Sequence, residues 1–215
     1  DGATLDMDRV ITIISASQST TTPGNVVAPN DDVTGHWSEK YMKRIIDLNI
    51  IDSIQKDGKL NYYPDKPLTR GEFAKYIVMS QNIEIAKEKS GTFKDGDIIP
   101  FELRSYVYAA FEKGLITGSQ ELDGLYFLPE APISRAEIIT IIGRLLGDTS
   151  DAELEFADAK EVPEWAKPYV AGCVEKGYVT GDADTGVLLL RPMDGITRGE
   201  TATIISKILD DAQGL

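Results

Sequence analysis

Three arginines stand in the same four-residue setting: Arg70 in Thr-Arg-Gly-Glu (69–72), Arg135 in Ser-Arg-Ala-Glu (134–137) and Arg198 in Thr-Arg-Gly-Glu (197–200). A hydroxyl residue followed three positions later by Glu is a capping box, in which the hydroxyl and the carboxylate reciprocally satisfy backbone donors at a helix start. That accounts for two positions of the four. A guanidinium in the first helical turn opposes the helix dipole and is mildly unfavourable there, so its recurrence needs a reason. Two are open on chemistry alone. Free N–H groups at the helix start together with a guanidinium make a local anion site. Alternatively, each arginine pairs with an acid of a neighbouring segment and staples the two together.

Other chemistry is sparse. The single His36 excludes mechanisms that need paired histidines, and the single Cys173 excludes an intramolecular disulfide framework and a cysteine metal cluster. His36 is expected to be a solvated helix-start residue and Cys173 a small core residue. The stretch Asp182-Ala183-Asp184-Thr185-Gly186 lacks the downstream carboxylates of a calcium loop and reads as a surface turn. No GxSxG, HExxH, P-loop or dinucleotide fingerprint is present, so no catalytic residue, metal site or cofactor is expected.

The elements that position the arginines repeat with them. The tetrapeptides lie 65 and 63 residues apart, each preceded five residues earlier by a proline, at Pro64, Pro129 and Pro192. Acidic residues open each unit at Asp32, Asp95 and Asp158, spaced by 63. Apolar residues then recur at helical spacing (Trp37, Tyr41, Ile45, Leu48; Val107, Phe111, Leu115; Val170, Val174), which predicts a first helix. Gly114 and Gly177, with Asn49 in unit one, fall where a left-handed C′ residue ends it. A loop of about 15 to 20 residues follows, with turn chemistry at Asp57-Gly58, Asp123-Gly124 and Thr185-Gly186. The second helix starts at the Thr or Ser. Each unit is too small to bury its own apolar face, so neighbours must stack.

Composition narrows the partners. With 22 Lys+Arg against 35 Asp+Glu in 215 residues, the net charge is −13, which removes long-range attraction to nucleic acid and obliges any anionic ligand to be held locally. Apolar runs such as 138–142 are far too short to cross a bilayer core of about 30 Å, so no membrane insertion is expected. No basic-plus-apolar leader opens the chain, which reads as a mature protein or a fragment.

An acidic start followed by an aromatic (Asp32 with Trp37, Asp158 with Trp165), a helix, a G-x-x-T-G turn, a D-G loop, an apolar residue and proline, and an [ST]-R-[AG]-E helix, three times over, resembles three tandem S-layer homology motifs. The resemblance implies a mainly helical, all-α fold with long loops: three helix-loop-helix repeats in a pseudo-threefold spindle with a central helical bundle. It implies a bacterial protein located outside the cell at the cell wall or S-layer. Grooves between motifs would hold a secondary cell-wall polysaccharide, often one carrying pyruvyl ketals. Its binding residues would be Arg70, Arg135 and Arg198, helped by Asp32, Trp37, Asp95, Gly118, Asp158, Trp165 and Gly181. The implied function is non-catalytic anchoring by a monomeric domain that can be part of a larger surface protein. The alternative is an assembly module whose arginines are internal staples.

The match is uneven. Unit three is the most complete, with Phe156, Asp158, Trp165, Gly177, Gly181, Pro192, Thr197, Arg198 and Glu200 all in place. Unit one has Asn49 and Ser53 at the two turn glycines and Asn30 where unit three has Phe156. Unit two has Glu102 at the position of Trp37 and Trp165, and a carboxylate there is expected to weaken its groove toward an anionic sugar. The expected segments are 31–90, 91–153 and 154–211 for the three motifs and 18–30 for a linker. Residues 1–17 are either a degenerate helix, with Asp6 as its N-cap and Met7 in the place of arginine, or a strand ending a preceding domain.

Overall fold

The computed structural model describes residues 31–85, 92–183 and 186–212. The expectations for 1–17 and 18–30, and those on Asn30, Asp184 and Thr185, lie outside the described residues. Among the described residues six α-helices carry the fold: α1 (Glu39–Asp47), α2 (Arg70–Ser80), α3 (Phe101–Glu112), α4 (Arg135–Leu146), α5 (Lys167–Glu175) and α6 (Arg198–Ala212). The chain is therefore mainly helical, with two helices in each repeat. The first helices end as the spacing predicts, with Asn49 (φ 56°), Gly114 (φ 68°) and Gly177 (φ 73°) in the left-handed region.

The long loops are more ordered than the sequence suggests. In repeat one, β1 (Ile54–Lys56) pairs antiparallel with β2 (Lys59–Asn61); in repeat two, β3 (Ser119–Glu121) pairs with β4 (Gly124–Tyr126). Asp57 (φ 53°) and Gly58 (φ 72°) are both left-handed, as a two-residue type I′ hairpin requires. In repeat three, among the described residues, Asp182 and Leu189 form an antiparallel bridge at the same place. Strands of three residues are too short to show a period of two, so only their turns were legible.

The chain divides into two compact units, one spanning Pro132–Ile196 and the other, among described residues, 31–131 with 197–212. In the first, α4 packs on α5; in the second, α2 packs on α3 and α1 on α6. One rule covers all three pairs. The second helix of a repeat packs on the first helix of the next, and the last helix of repeat three packs on the first of repeat one. Buried residues on these helices include Met42, Ile45 and Ile46 on α1, Phe73 and Ile77 on α2, Val107 and Tyr108 on α3, and Ile208 and Leu209 on α6. In the other unit Ile138, Ile139 and Ile142 of α4 and Val170 and Cys173 of α5 are buried. Each such side chain contributes about 1.5 to 3 kcal/mol by burial. Cys173 is a core residue, as expected, its Sγ 3.7 Å from the Ile139 carbonyl oxygen.

Candidate functional site

Each junction between repeats is built around the start of a second helix, and each lies wholly within one compact unit. The capping boxes form as predicted. Glu72 N–H donates to Thr69 Oγ1 at 3.2 Å, Glu137 N–H to Ser134 Oγ at 3.3 Å and Glu200 N–H to Thr197 Oγ1 at 3.2 Å. The glutamates return the bond to the cap N–H groups at 3.1, 2.9 and 2.9 Å.

The remaining donors of the helix starts are bonded to backbone, not free as an anion site built on them would need. Arg70 N–H donates to Ala131 O (3.0 Å) and Gly71 N–H to Pro129 O (3.0 Å). The same two bonds run from Arg135 to Asp194 O (3.0 Å) and Ala136 to Pro192 O (2.8 Å), and from Arg198 to Lys66 O (3.0 Å) and Gly199 to Pro64 O (2.8 Å). In every case the acceptor is the proline loop of the next repeat in cyclic order. A buried helix end must satisfy its orphan N–H groups, and here a neighbouring backbone does so in place of a ligand. Ala136 makes this bond with a Cβ in place, so the glycine of the other two tetrapeptides answers to the side chains packed against it. A Cβ on Gly71 would lie 3.0 Å from Leu103 Cδ1 and 3.2 Å from Pro129 O, and one on Gly199 would lie 2.7 Å from Ser38 Oγ.

The arginine side chains continue across these junctions. Arg70 Nε donates to Phe127 O at 2.9 Å, with the guanidinium 5.6 Å from the Phe127 ring centroid. Arg198 Nη1 donates to Tyr62 O at 3.0 Å and its Nη2 pairs with Glu72 Oε1. Arg135 Nη2 donates to Thr180 O at 3.2 Å, beside Gly181. Arg70 and Arg198 are only 9% and 6% exposed. A cation so buried is tolerated because carbonyls, an aromatic face and an acid surround it. Burial raises the pKa of Glu72, but the Thr69 N–H and the Arg198 guanidinium outweigh it and hold the carboxyl below its ordinary value. Arg198 thus pairs with an acid of another repeat, as the staple alternative requires.

The acidic residues that open each repeat hold the loops the arginines reach. Both oxygens of Asp32 accept backbone N–H bonds, from Tyr62 and Tyr63 at 2.7 Å each. Asp95 does the same for Phe127 (2.8 Å) and Leu128 (2.7 Å), and Asp158 for Leu190 (2.8 Å) and Arg191 (2.7 Å). Tyr63, Leu128 and Arg191 are left-handed, with φ of 51°, 59° and 55°, a conformation that is strained for residues with a Cβ. Two charge-assisted bonds offset that strain. The residue whose N–H the aspartate holds presents its carbonyl to arginine in two junctions: Asp32–Tyr62–Arg198 and Asp95–Phe127–Arg70. All three aspartates thus hold the loops of their own repeats in place.

Gly118 and Gly181 serve close approach. A Cβ on Gly118 would lie 2.8 Å from Tyr126 O and 3.0 Å from the Phe93 ring; one on Gly181 would lie 2.7 Å from both Phe156 and Leu188. Trp37 and Trp165, by contrast, face solvent at 60% and 51% exposure. Glu102 is exposed on the first turn of α3, and Phe101 beside it is 83% exposed. Repeat two therefore keeps an exposed aromatic at its helix start, one position earlier than the spacing count looks for it. His36 is partly buried, which corrects the expectation of a solvated residue. Its Nδ1 lies 2.8 Å from Ser38 Oγ and its Nε2 3.1 Å from Asp65 Oδ1, with the ring 5.4 Å from that of Trp37. It links Trp37 to the loop whose carbonyls cap α6.

Among the described residues no group of His, Cys, Asp and Glu could hold a metal ion, and no helix is long and apolar enough to cross a membrane. The S-layer homology domain family matches residues 31–74, 92–139 and 155–202. The chain is 26% identical over 176 residues to the Surface-layer 125 kDa protein of Lysinibacillus sphaericus, covering 81% of this chain and 14% of that protein. It is 29% identical over 163 residues to the Cellulosome-anchoring protein of Acetivibrio thermocellus, covering 69% and 33%. It is also 26% identical over 194 residues to the Exoglucanase XynX of Acetivibrio thermocellus, covering 86% and 16%. The chain thus spans a third or less of the length of these relatives. Three matched segments covering most of the chain, each with its capping box, arginine and opening aspartate in place, show that it belongs to the S-layer homology domain family and resides at the cell surface.

Proposed function

We propose that the chain is a non-catalytic module that anchors an exported protein to the bacterial cell wall by binding an anionic secondary cell-wall polysaccharide at the junctions between repeats. The observation that carries this reading is the pair of exposed indoles. A tryptophan at a helix start that packed a core would be buried, whereas Trp37 and Trp165 present more than half of their surface to solvent. An exposed, rigid aromatic with a polar rim is suited to stack on the apolar face of a sugar ring. The relatives named for a surface layer and for cellulosome anchoring support the same role. A pyruvyl ketal is the anionic substituent the family resemblance implies.

The arginines take a double part in this proposal. Arg198, tied to Tyr62 and Glu72, fixes one repeat to another and shapes the groove floor; Arg135, less deeply buried, is the arginine best placed to meet an anionic substituent. The alternative, an assembly module with purely internal staples, is favoured by the Arg198–Glu72 pair taken alone. Sedimentation with purified cell walls separates them. Anchoring predicts that the chain pellets with intact walls and stays soluble once the non-peptidoglycan polymer is stripped. Equal pelleting with both preparations, or with neither, contradicts it.

A further inference from the structure

The hairpin of repeat one carries a charge pattern that the junctions do not explain. Lys56 and Lys59 are direct cross-strand partners on either side of the Asp57-Gly58 turn. Strand alternation puts them on one face with Ile54 and Asn61, opposite half-buried Leu60. Both lysines are exposed, and among the described residues neither ammonium has an ion-pair or hydrogen-bond partner. Like charges directly opposite each other destabilise a hairpin, and the one acid between them, Asp57 at the turn, leaves the tip with a net positive charge on a chain of net charge −13.

Lysines on an edge strand also discourage strand-to-strand aggregation. The equivalent hairpin does without them: in repeat two, Glu121 stands opposite Gly124, with Leu122 and Asp123 at the turn. The basic pair is therefore particular to repeat one. It is also continuous with a junction. Strand β2 leads from Lys59 straight to Tyr62, whose carbonyl accepts Arg198, a run of three residues or about 10 Å.

Resting on the anchoring reading, we infer that the Lys56/Lys59 hairpin is an anion contact that holds a charged substituent of the same wall polysaccharide beyond the junction of repeats three and one, where Arg198 is already paired and Trp37 offers the sugar-stacking face. A single sugar does not reach both places, so the module takes an extended anionic polymer there. The charge on that polymer can be a carboxylate or a phosphate, and an ammonium pair accepts either.

The test titrates the chain and its Lys56→Gln/Lys59→Gln variant with polysaccharide released from walls, at about 50 mM and about 300 mM salt. The variant is expected to bind about three- to tenfold more weakly at low salt, with the difference shrinking at high salt, and to melt no lower than wild type. Glu121→Gln in the other hairpin should leave affinity unchanged or slightly raised. Polymer whose carboxylates have been amidated with carbodiimide assigns the source: the difference vanishes if the contact is to carboxylate and persists if it is to phosphate. Equal affinity of variant and wild type at low salt overturns the inference while leaving the anchoring reading intact. An equal loss at both salt concentrations also overturns it, by marking a packing role. A wild-type chain that binds no polymer at all sinks both.

Discussion

Removing the Arg198 side chain is expected to destabilise the fold, in contrast to what a free cation in a helix first turn would predict. Arg198→Ala deletes the bond to Tyr62 O and the pair with Glu72, both at a site where the arginine is 6% exposed. Breaking a buried ion pair by truncating one partner typically costs about 3 to 5 kcal/mol. Glu72 retains its bond from the Thr69 N–H and a pair with Lys66 at 3.3 Å, so the expected loss is smaller, about 2 to 4 kcal/mol. For a chain of this size that lowers the melting temperature by roughly 5 to 15 °C. The helix dipole works in the other direction, but its contribution of about 0.3 to 1 kcal/mol is the lesser effect. The assay is urea and thermal unfolding of wild type, Arg198→Ala, Glu72→Gln and the double variant. Coupling between the two sites of at least about 1 kcal/mol is expected, because each single change leaves a partly buried partner uncompensated. Arg198→Lys should recover part of the loss, since an ammonium reaches one partner and lacks the planar fork. A melting temperature equal to or above wild type in Arg198→Ala, or strictly additive effects, refutes the staple geometry.

Four further outcomes are expected. Asp158→Ala leaves two backbone N–H groups and a left-handed Arg191 without support, and should cost about 2 to 4 kcal/mol in urea unfolding; a loss below about 0.5 kcal/mol would show that the loop holds itself. Trp165→Ala, at a half-exposed position, should leave the melting temperature close to wild type while weakening polysaccharide binding roughly tenfold in calorimetry. Burial pushes the Cys173 thiol up to about 12, so it should resist alkylation at about pH 8 until the chain is unfolded; rapid labelling of the native chain contradicts its place in the core. The carboxyl of Glu72 titrates below its ordinary value, so its stabilising contribution is present above the unfolded pKa of about 4.3 and is lost as pH falls through the folded one. Glu72→Gln should therefore flatten the acid limb of a stability–pH curve, and an unchanged limb would assign acid sensitivity elsewhere.

The helices were legible because their signals are local. A capping box, a period near 3.6 and a glycine or asparagine after the last turn each depend on residues within one element, and all three appear at every repeat. The cyclic pairing of helices was not legible, because nothing in a repeat states which neighbour covers its apolar face. For the same reason the tetrapeptide was only half explained by its own sequence. Gly71 is small because Leu103 and the Pro129 carbonyl lie against it and Gly199 because Ser38 does, all from another repeat, and Arg198 is tolerated because an acid 126 positions away sits beside it.

The aspartates show a different limit. Their spacing to the proline loop was visible, yet a carboxylate that organises a backbone and one that meets a ligand look alike in sequence. The left-handed residues at Tyr63, Leu128 and Arg191 mark the backbone role, but tyrosine, leucine and arginine carry no propensity for that conformation and gave no sign of it in the sequence. A covarying pair was available and carries physical content: Phe93 with Gly118 and Phe156 with Gly181, against Asn30 with Ser53 in repeat one. Ring and glycine change together because the ring edge occupies the space a Cβ would need.

Calorimetric titration of the intact chain with the purified secondary cell-wall polysaccharide, beside a Trp37→Ala/Trp165→Ala variant of equal melting temperature, tests anchoring through the exposed aromatic faces most directly. The account predicts measurable binding by wild type and a loss of about a hundredfold or more in the double variant, with far-UV dichroism unchanged. Wild-type binding that survives intact in the double variant, or no heat of binding from wild type, would contradict it.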